Sequence, residues 1–504
     1  MTDDSHSLRH LHFAALTSAC SLRMAVTRIY LLSSVLLSLV SLSTVSVAYN
    51  HTLLLVGPVL CLLSYFPRRP VIMHFPLGSG TFATDKMWHN FHETEDERLY
   101  REFAKFPDYK VKITNPLISR RKTPMIDQLF GCFGTYNPFA RPCDAKDHIV
   151  WLLDNTAWRP NEKEPWCANF TAAYFIKDTG EDDSRIVATV AGLLNLADDA
   201  EAKKTIAERV QPFLDAILPG RYVKISIGEG VKDIRKLSVS DLNGVSHNLI
   251  QIVGSFKDGS TITSRVVDIP DSIPSTTTFA TSTGWALISD IDDTIKKTLT
   301  SSPLSILSTT FVETPQPISG MPEFYKFLNT KLDSPPFWYI SASPYKLYPF
   351  LRAFREEHYP VGELVLRETS IMNLAGFLLS LTAGVQAFKV DRIKAVQKMF
   401  PGRKMICIGD STQSDPEAYA QVYHDHPHWV RAIFIRKVTG VAEMDEQRKN
   451  SPKRFEDAFK DVPQEVWYVY EDPKELYEKV EKLLEDDIRY AGYVGVGNNK
   501  WVSG

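Results

Sequence analysis

Cysteine is scarce. Six thiols occur in 504 residues, none in a Cys-x-x-Cys pair or beside histidines at zinc-ligand spacing. That excludes a disulfide framework and a sulfur-ligated metal as organisers of the chain. Cys132, Cys143 and Cys167 lie close together in sequence; the choice between one bridge in an oxidising compartment and reduced thiols in a packed domain stays open. An excess of one charge is also lacking. Against 57 basic residues stand 60 acidic ones, a net charge of -3, so no global pull toward nucleic acid exists and no nucleic-acid partner is expected. At this length, two folded domains plus a tail or anchor are expected.

Charge is missing altogether from two stretches near the front, Ile29 to Tyr49 and Thr52 to Phe66, with Arg23 and Arg28 before them and Arg68 and Arg69 after. The first is long enough to span a bilayer at about 20 residues; the second is short and holds Pro58. Basic residues on both flanks favour a hairpin with both ends cytoplasmic. The expectation is therefore a membrane-associated chain with a cytoplasmic catalytic domain. The alternative is a secretory-pathway protein, in which residues 24–48 form a cleaved signal and Asn50 and Asn169 begin glycosylation sequons.

Composition divides the chain into a disordered N-terminus (1–25), a hydrophobic membrane segment or hairpin (26–68), a helical linker (69–144), a β-rich accessory domain (145–272), an α/β domain (283–485) and a tail (486–504). In the accessory segment, apolar runs such as His148 to Leu153, Tyr222 to Ile227, Leu249 to Phe256 and Thr261 to Asp268 alternate with turn residues, and one helix spans about Asp199 to Ala216. This predicts a β-sandwich-like domain closed by a Pro/Ser/Thr-rich linker at Pro270 to Thr278. Beyond it, strand runs at Trp285 to Ser289, Phe337 to Ser341, Glu363 to Leu366, Lys404 to Ile408, Val430 to Ile435 and Val466 to Tyr470 are separated by helix-length segments. Notable among these are Tyr345 to His358 and Asp391 to Phe400. The pattern predicts a Rossmann-like parallel sheet with helices on both faces, its chemistry at the carboxyl ends of the strands.

At one such end the apolar strand Trp285-Ala-Leu-Ile-Ser runs into Asp290-Ile-Asp292-Asp293-Thr294. Residues i and i+2 of an extended chain point the same way, so Asp290 and Asp292 can work on one substrate. A second strand, Phe337-Trp-Tyr-Ile, ends in the hydroxyl of Ser341, with Ser343 an alternative nearby. Lys389, with Lys394 as second choice, lies on a helix before the strand Met405-Ile-Cys-Ile, and that strand meets Gly409-Asp410-Ser411 and then Asp415. Hard oxygen ligands without sulfur or imidazole suit Mg²⁺.

Asp-x-Asp-x-Thr after an apolar strand, then Ser, Lys and an acidic pair in that order, resembles the haloacid-dehalogenase phosphatases. The resemblance implies that Asp290 attacks phosphorus to form an acyl phosphate. Asp292 then protonates the leaving alkoxide and afterwards activates water. It further implies that Thr294 completes the catalytic motif, that Ser341 holds a phosphoryl oxygen and that Lys389 offsets charge. Asp410 would bind Mg²⁺ beside Asp290 and the Asp292 carbonyl, with Asp415 orienting the site. A P-type ATPase is excluded, because Ile295-Lys296-Lys297 stands where Lys-Thr-Gly-Thr would be needed.

The wording Ser-Asp-Ile-Asp-Asp-Thr-Ile-Lys, Tyr-Ile-Ser-Ala-Ser-Pro-Tyr-Lys and Gly-Asp-Ser-Thr-Gln-Ser-Asp-Pro-Glu-Ala-Tyr is similar to the fungal actin-patch phosphatidate phosphatases, over about residues 145 to 475. The similarity implies hydrolysis of phosphatidic acid or a related phospholipid at a membrane surface. It also implies actin-patch partners; Asn137-Pro138-Phe139 is either the tripeptide read by endocytic adaptor domains or a turn inside the fold. Only about fifty residues separate Asp290 from Ser341, too few for a large cap over the pocket. The uncharged stretch Ile371 to Leu379 either touches bilayer and acyl chains or is a buried core helix. Other substrates of the same chemistry are lysophosphatidate, diacylglycerol pyrophosphate or a soluble phosphomonoester. A membrane scaffold with an inactive phosphatase domain is the reading from another class.

Overall fold

Strand β12 (Thr283–Ser289) is the middle of a six-stranded sheet because its residues are apolar on both sides. Leu287 faces one hydrophobic cluster while Ala286 and Ile288 face another. Neighbouring strands repeat the alternation: β13 (Phe337–Pro344), β14 (Glu363–Arg367), β15 (Gly402–Asp410), β16 (Val430–Arg436) and β17 (Trp467–Tyr470). All pairs are parallel, in the order β14-β13-β12-β15-β16-β17. The chain thus starts mid-sheet, winds out one way to β14 and returns to β15. Its direction reverses between β12 and β15, where open α/β sheets leave a crevice for ligands. The α/β architecture expected from the apolar runs is present.

The computed structural model describes residues 93–103, 140–177, 184–228, 233–368, 377–378, 380–441 and 444–497. The expected disordered terminus (1–25), the membrane segment (26–68), Cys132 and Asn137-Pro138-Phe139 lie outside them. Among the described residues no helix is long and apolar enough to cross a membrane. The described helices are α1 (Glu95–Phe103), α2 (Ser184–Leu193), α3 (Ala200–Leu214), α4 (Pro303–Phe311), α5 (Met321–Lys331), α6 (Tyr348–His358), α7 (Val385–Met399), α8 (Asp415–Asp425), a single turn at Glu446–Lys449, α9 (Pro452–Ala458) and α10 (Leu476–Gly497). One face of the parallel sheet is covered by α4, α5, α6 and α10, the other by α7, α8 and α9.

Ahead of the parallel sheet, β1 (Arg141–Pro142) pairs with β6 (Arg221–Tyr222), while β2 (His148–Leu152), β3 (Asn155–Trp158), β4 (Trp166–Ile176), β5 (Ala216–Ile217), β7 (Lys224–Ile227), β8 (Ile234–Lys236), β9 (Val245–Ile252), β10 (Thr261–Val266) and β11 (Ser275–Ala280) join a mixed sheet around β4. The core of this part is Val150, Leu152, Phe170, Tyr174, Ile225 and Phe279. The Pro270 to Thr278 linker is corrected here. Its second half begins β11, which runs parallel to β3 from Thr277 opposite Asn155 to Ala280 opposite Trp158. Ser275, Thr277 and Phe279 are buried; hydroxyl-rich but β-branched residues fit a pleated, covered strand as well as a linker. Cys143 and Cys167 are free thiols, so no bridge joins them.

One pair of alternatives is decided and one boundary moves. Phe377 and Leu378 are 2% and 5% exposed, and the Phe377 ring meets Phe213 edge-on at 5.9 Å and Phe311 at 5.5 Å. They belong to the core and do not touch a bilayer; burial of their apolar area stabilises each by about 1.5–3 kcal/mol. Ile371 to Gly376 and Leu379 lie outside the described residues. The last helix continues to Gly497, beyond the boundary expected at 485, and Asp487 on it pairs with Lys404 of β15 at 2.5 Å.

Candidate active site

Burial of an apolar strand forces its first polar residues to its end. Hence β12 delivers Asp290, and β15, hydrogen-bonded beside it, delivers Asp410. The Asp290 amide donates to the Ile408 carbonyl at 2.9 Å, so the two strand ends are held at one level. Asp290 is clasped from two sides. Lys389 Nζ donates to its Oδ1 at 2.7 Å and Thr294 Oγ1 to its Oδ2 at 2.9 Å. Thr294 Oγ1 also reaches Asp410 Oδ2 at 3.4 Å. The same Lys389 ammonium makes a very short contact with Asp415 Oδ1. Asp415 Oδ2 accepts the Asp410 amide at 3.0 Å. All of these side chains are at most 1% exposed.

Helix α7 begins at Val385, earlier than the sequence pattern indicated, so Lys389 lies one turn inside it and reaches the strand ends. Lys394, the alternative, is on the periphery, paired with Asp425 at 2.7 Å. Glycine at 409 is required: a Cβ there would meet Asp415 Oδ2 at 2.5 Å, so only a bare backbone lets Asp415 fold back over the strand end.

Asp292 points to a different set of partners. Ser341 Oγ donates to its Oδ2 at 2.7 Å, Ser343 Oγ reaches the same oxygen at 3.3 Å, and Thr298 Oγ1 donates to Oδ1 at 2.8 Å. Thr298 in turn accepts from Lys296 Nζ at 2.9 Å. Both serines of the second motif therefore converge on one carboxylate.

Two contributors were missed in the sequence. Asp293, at φ 61°, staples the loop after the motif by accepting from the amides of Thr298, Leu299 and Thr300 at 3.0, 2.7 and 2.7 Å. Its place immediately after the Asp-x-Asp pair was the available signal. Lys296, 1% exposed, was read only for what it excludes; an amine two residues past the motif threonine was the signal there.

Electrostatics set these carboxylates apart. Burial, with Asp415, Asp410 and Asp292 adding to it, holds the Asp290 carboxyl well above the ordinary carboxylate range, although Lys389 pulls it down. Burial and then Asp415 push Asp410 up to about 7. Burial works against the charge of Lys389, but Asp290 and Asp415 overcome it and keep the ammonium protonated. Oxygens of Asp290, Asp410 and Asp415 all lie within 4.8 Å of one another. Ionising all three buried carboxylates around one lysine would leave negative charge uncompensated, and a compact set of hard oxygen donors is what a divalent cation such as Mg²⁺ accepts. These residues fit a metal ion.

Residues 285–437 match the family model of the phosphatidate phosphatase APP1 catalytic domain. That interval contains every one of the motifs just described, and bears out the resemblance that they carried. It is narrower than the 145 to 475 expected. Phosphatidate phosphatase APP1 of Saccharomyces cerevisiae is 33% identical over 174 residues, 33% of this chain and 29% of that protein. An uncharacterized protein of Schizosaccharomyces pombe is 28% identical over 177 residues, 33% of this chain and 28% of that protein. The chain thus spans under a third of the length of either relative that it matches.

Proposed function

We propose that the chain is a phosphatidate phosphatase with a haloacid-dehalogenase-like catalytic domain, converting phosphatidic acid to diacylglycerol and phosphate through an aspartyl-phosphate at Asp290. The observation that carries this reading is the meeting of Asp290, Thr294, Lys389, Asp410 and Asp415 at the reversal point of the sheet, inside the interval similar to the APP1 catalytic domain.

Asp290 is restrained through both carboxylate oxygens, so its attack on phosphorus needs little reorganisation. Forming the acyl phosphate divides one hard displacement into two easier ones. Asp292, in its ring of Ser341, Ser343 and Thr298 hydroxyls, carries the proton to the departing alkoxide and later takes one from the hydrolytic water. On substrate binding Ser341 Oγ turns from Asp292 to a phosphoryl oxygen, which frees Asp292 for that proton. Lys389 offsets the charge gathered at Asp290 and Asp415. The carboxylates of Asp290, Asp410 and Asp415 would hold Mg²⁺, with the Asp292 carbonyl as a further oxygen. When bound, the cation neutralises charge between these carboxylates and an anionic phosphoryl group. Attachment through residues 26–68, with the catalytic part on the cytoplasmic side and actin-patch proteins as partners, completes the proposal.

The test is phosphate release from phosphatidic acid in mixed micelles, with Mg²⁺ or EDTA and with Asp290→Asn beside the unaltered chain. Metal-dependent release lost in the variant is the expected result. Release from a soluble phosphomonoester alone would keep the chemistry and discard the lipid; release from neither would leave the scaffold reading.

A further inference from the structure

Helix α1 lies far ahead of the interval similar to the APP1 catalytic domain, and nothing in its composition points to catalysis. Its Glu97 is nevertheless 4% exposed, an unusual fate for a carboxylate whose partners among the described residues are amides and a hydroxyl. Those oxygens accept four hydrogen bonds. Oε2 takes the amide of Thr94 at 3.0 Å and that of Gly384 at 3.1 Å. Oε1 takes the amide of Gln386 at 2.9 Å and the hydroxyl of Ser414 at 3.2 Å. Thr94 Oγ1 accepts the Glu97 amide at 3.2 Å, which closes a reciprocal cap on α1 and fixes the carboxylate's direction.

The donors are the significant part. Gly384 is the N-cap of α7 and makes no side-chain cap bond of its own; Gln386 is the second residue of that helix. Their amides are among the donors that a helix start leaves without intrahelical partners, and the carboxylate also meets the positive end of the helix dipole. Ser414 is the N-cap of α8 and spends its hydroxyl on Glu97 instead of on its own helix. Helix α7 carries Lys389 on its second turn and α8 begins at Asp415. These are the two residues whose contact with each other and with Asp290 forms the charged half of the site. One carboxylate thus spans the starts of both helices that set the Lys389–Asp415–Asp290 geometry. The exposed Asp96–Arg448 pair at 3.3 Å fastens the same helix to the turn at Glu446–Lys449 without touching α7 or α8.

We propose that Glu97 is a positioning residue for the phosphatase site: it clamps the N-termini of α7 and α8 together and so holds Lys389 and Asp415 at their working distance from Asp290. The proposal rests on the function proposed above.

The experiment uses the full chain with Glu97→Gln, Glu97→Ala and, as a control on docking of the helix, Asp96→Asn. The amide of Glu97→Gln turns a donor toward donors on one side of the clamp. The first readout is hydrogen–deuterium exchange, which follows local opening independently of turnover. In both Glu97 variants peptides covering 384–390 and 411–417 exchange faster while those covering 430–436 keep their protection. The second is turnover of whichever phosphomonoester the unaltered chain hydrolyses. kcat falls about tenfold to a hundredfold, with KM within about threefold because binding of the phosphoryl group is less affected than its alignment. Asp96→Asn leaves kcat within about twofold, as expected of an exposed ion pair. Unchanged exchange in both helix starts would overturn the clamp. Faster exchange with unchanged kcat, or an equal loss of kcat in Asp96→Asn, would overturn the positioning role. A chain inert on every phosphomonoester would defeat the proposed reaction, and the exchange result alone would then decide whether the clamp exists.

Discussion

Among the described residues, Lys389 is the cation in contact with the buried Asp290 and Asp415, and the balance at this point decides whether the proposed nucleophile is ionised. Because Lys389 lowers an Asp290 carboxyl that burial raises, removing the ammonium moves the carboxyl further up. Lys389→Met is therefore expected to lose activity by about 10²–10³-fold, and the acid limb of the remaining rate profile moves to higher pH; an unshifted limb would contradict this account. Asp290→Asn removes the proposed nucleophile and is expected to lower turnover on the order of 10³-fold or more while the chain stays folded, as circular dichroism and phosphate release would report. At this scale much was legible in the sequence. The carboxylates and Ser341 were read at the ends of apolar strands, where burial leaves a polar group no other destination, while Lys389 was placed on a helix by the resemblance. That α7 begins after Gly384, at φ 61°, is what lets Lys389 and not Lys394 reach the strand ends. Glu97 was not legible. Its partner Gly384 lies 287 residues away, and a carboxylate that caps a distant helix leaves no periodic trace.

Strands buried on both faces were the elements easiest to read. The parallel sheet appears as uninterrupted apolar runs, and each was found within a few residues of its expected place. By contrast β11, rich in threonine, reads like a linker, and α1 reads only as part of a helical linker, with nothing to show that it docks at the site. One strand also carries a test of pH dependence. Glu363 on β14 is half-buried, and desolvation of its carboxyl raises it from the ordinary 4.5 to about 7 despite hydrogen bonds from Thr156 Oγ1 and Trp338 Nε1 at 2.8 and 3.2 Å. A carboxyl raised on folding contributes stability fully present below pH 4.5 and lost as pH rises through about 7. Glu363→Gln keeps an acceptor oxygen without the charge. Between pH 5 and pH 8 the unaltered chain should lose stability on the order of 3 kcal/mol relative to this variant, measured by urea unfolding at both pH values; equal pH slopes would refute the assignment. On α-helical ground, the Phe377→Ser/Leu378→Ser double variant should lose turnover of soluble and lipid substrates alike. It removes core contacts with Phe213 and Phe311, and the cost is about 3–5 kcal/mol for the aromatic alone.

At the scale of the whole molecule, the mixed sheet and the parallel sheet are joined by more than a short stretch of chain. Asp154, following β2, is 3% exposed and accepts from Arg355 Nη2 at 2.9 Å and from Arg352 Nε at 3.2 Å, both on α6. Its other oxygen accepts the Thr276 amide at 2.7 Å, and its own amide donates to Tyr348 Oη at 2.8 Å. The same apolar cluster that holds Leu287 and Phe324 of the parallel-sheet part also holds Trp151, Phe175, Ile206 and Val210. A shared core and a buried ion pair make independent melting of the two sheets costly, so calorimetry of the full chain should show residues 148–280 and 283–470 unfolding in one transition. Asp154→Ala leaves Arg355 buried, with the Gly362 carbonyl and the half-exposed Glu356 at 3.5 Å as its remaining partners. The expected cost is about 3 kcal/mol, because a buried charge that loses its buried partner is poorly compensated. If the core is shared as the contacts indicate, that cost lowers the whole transition without dividing it. Two resolved transitions in the unaltered chain would mean that the sheets are coupled only by the chain between them, and that the Asp154 contacts orient one against the other without stabilising either.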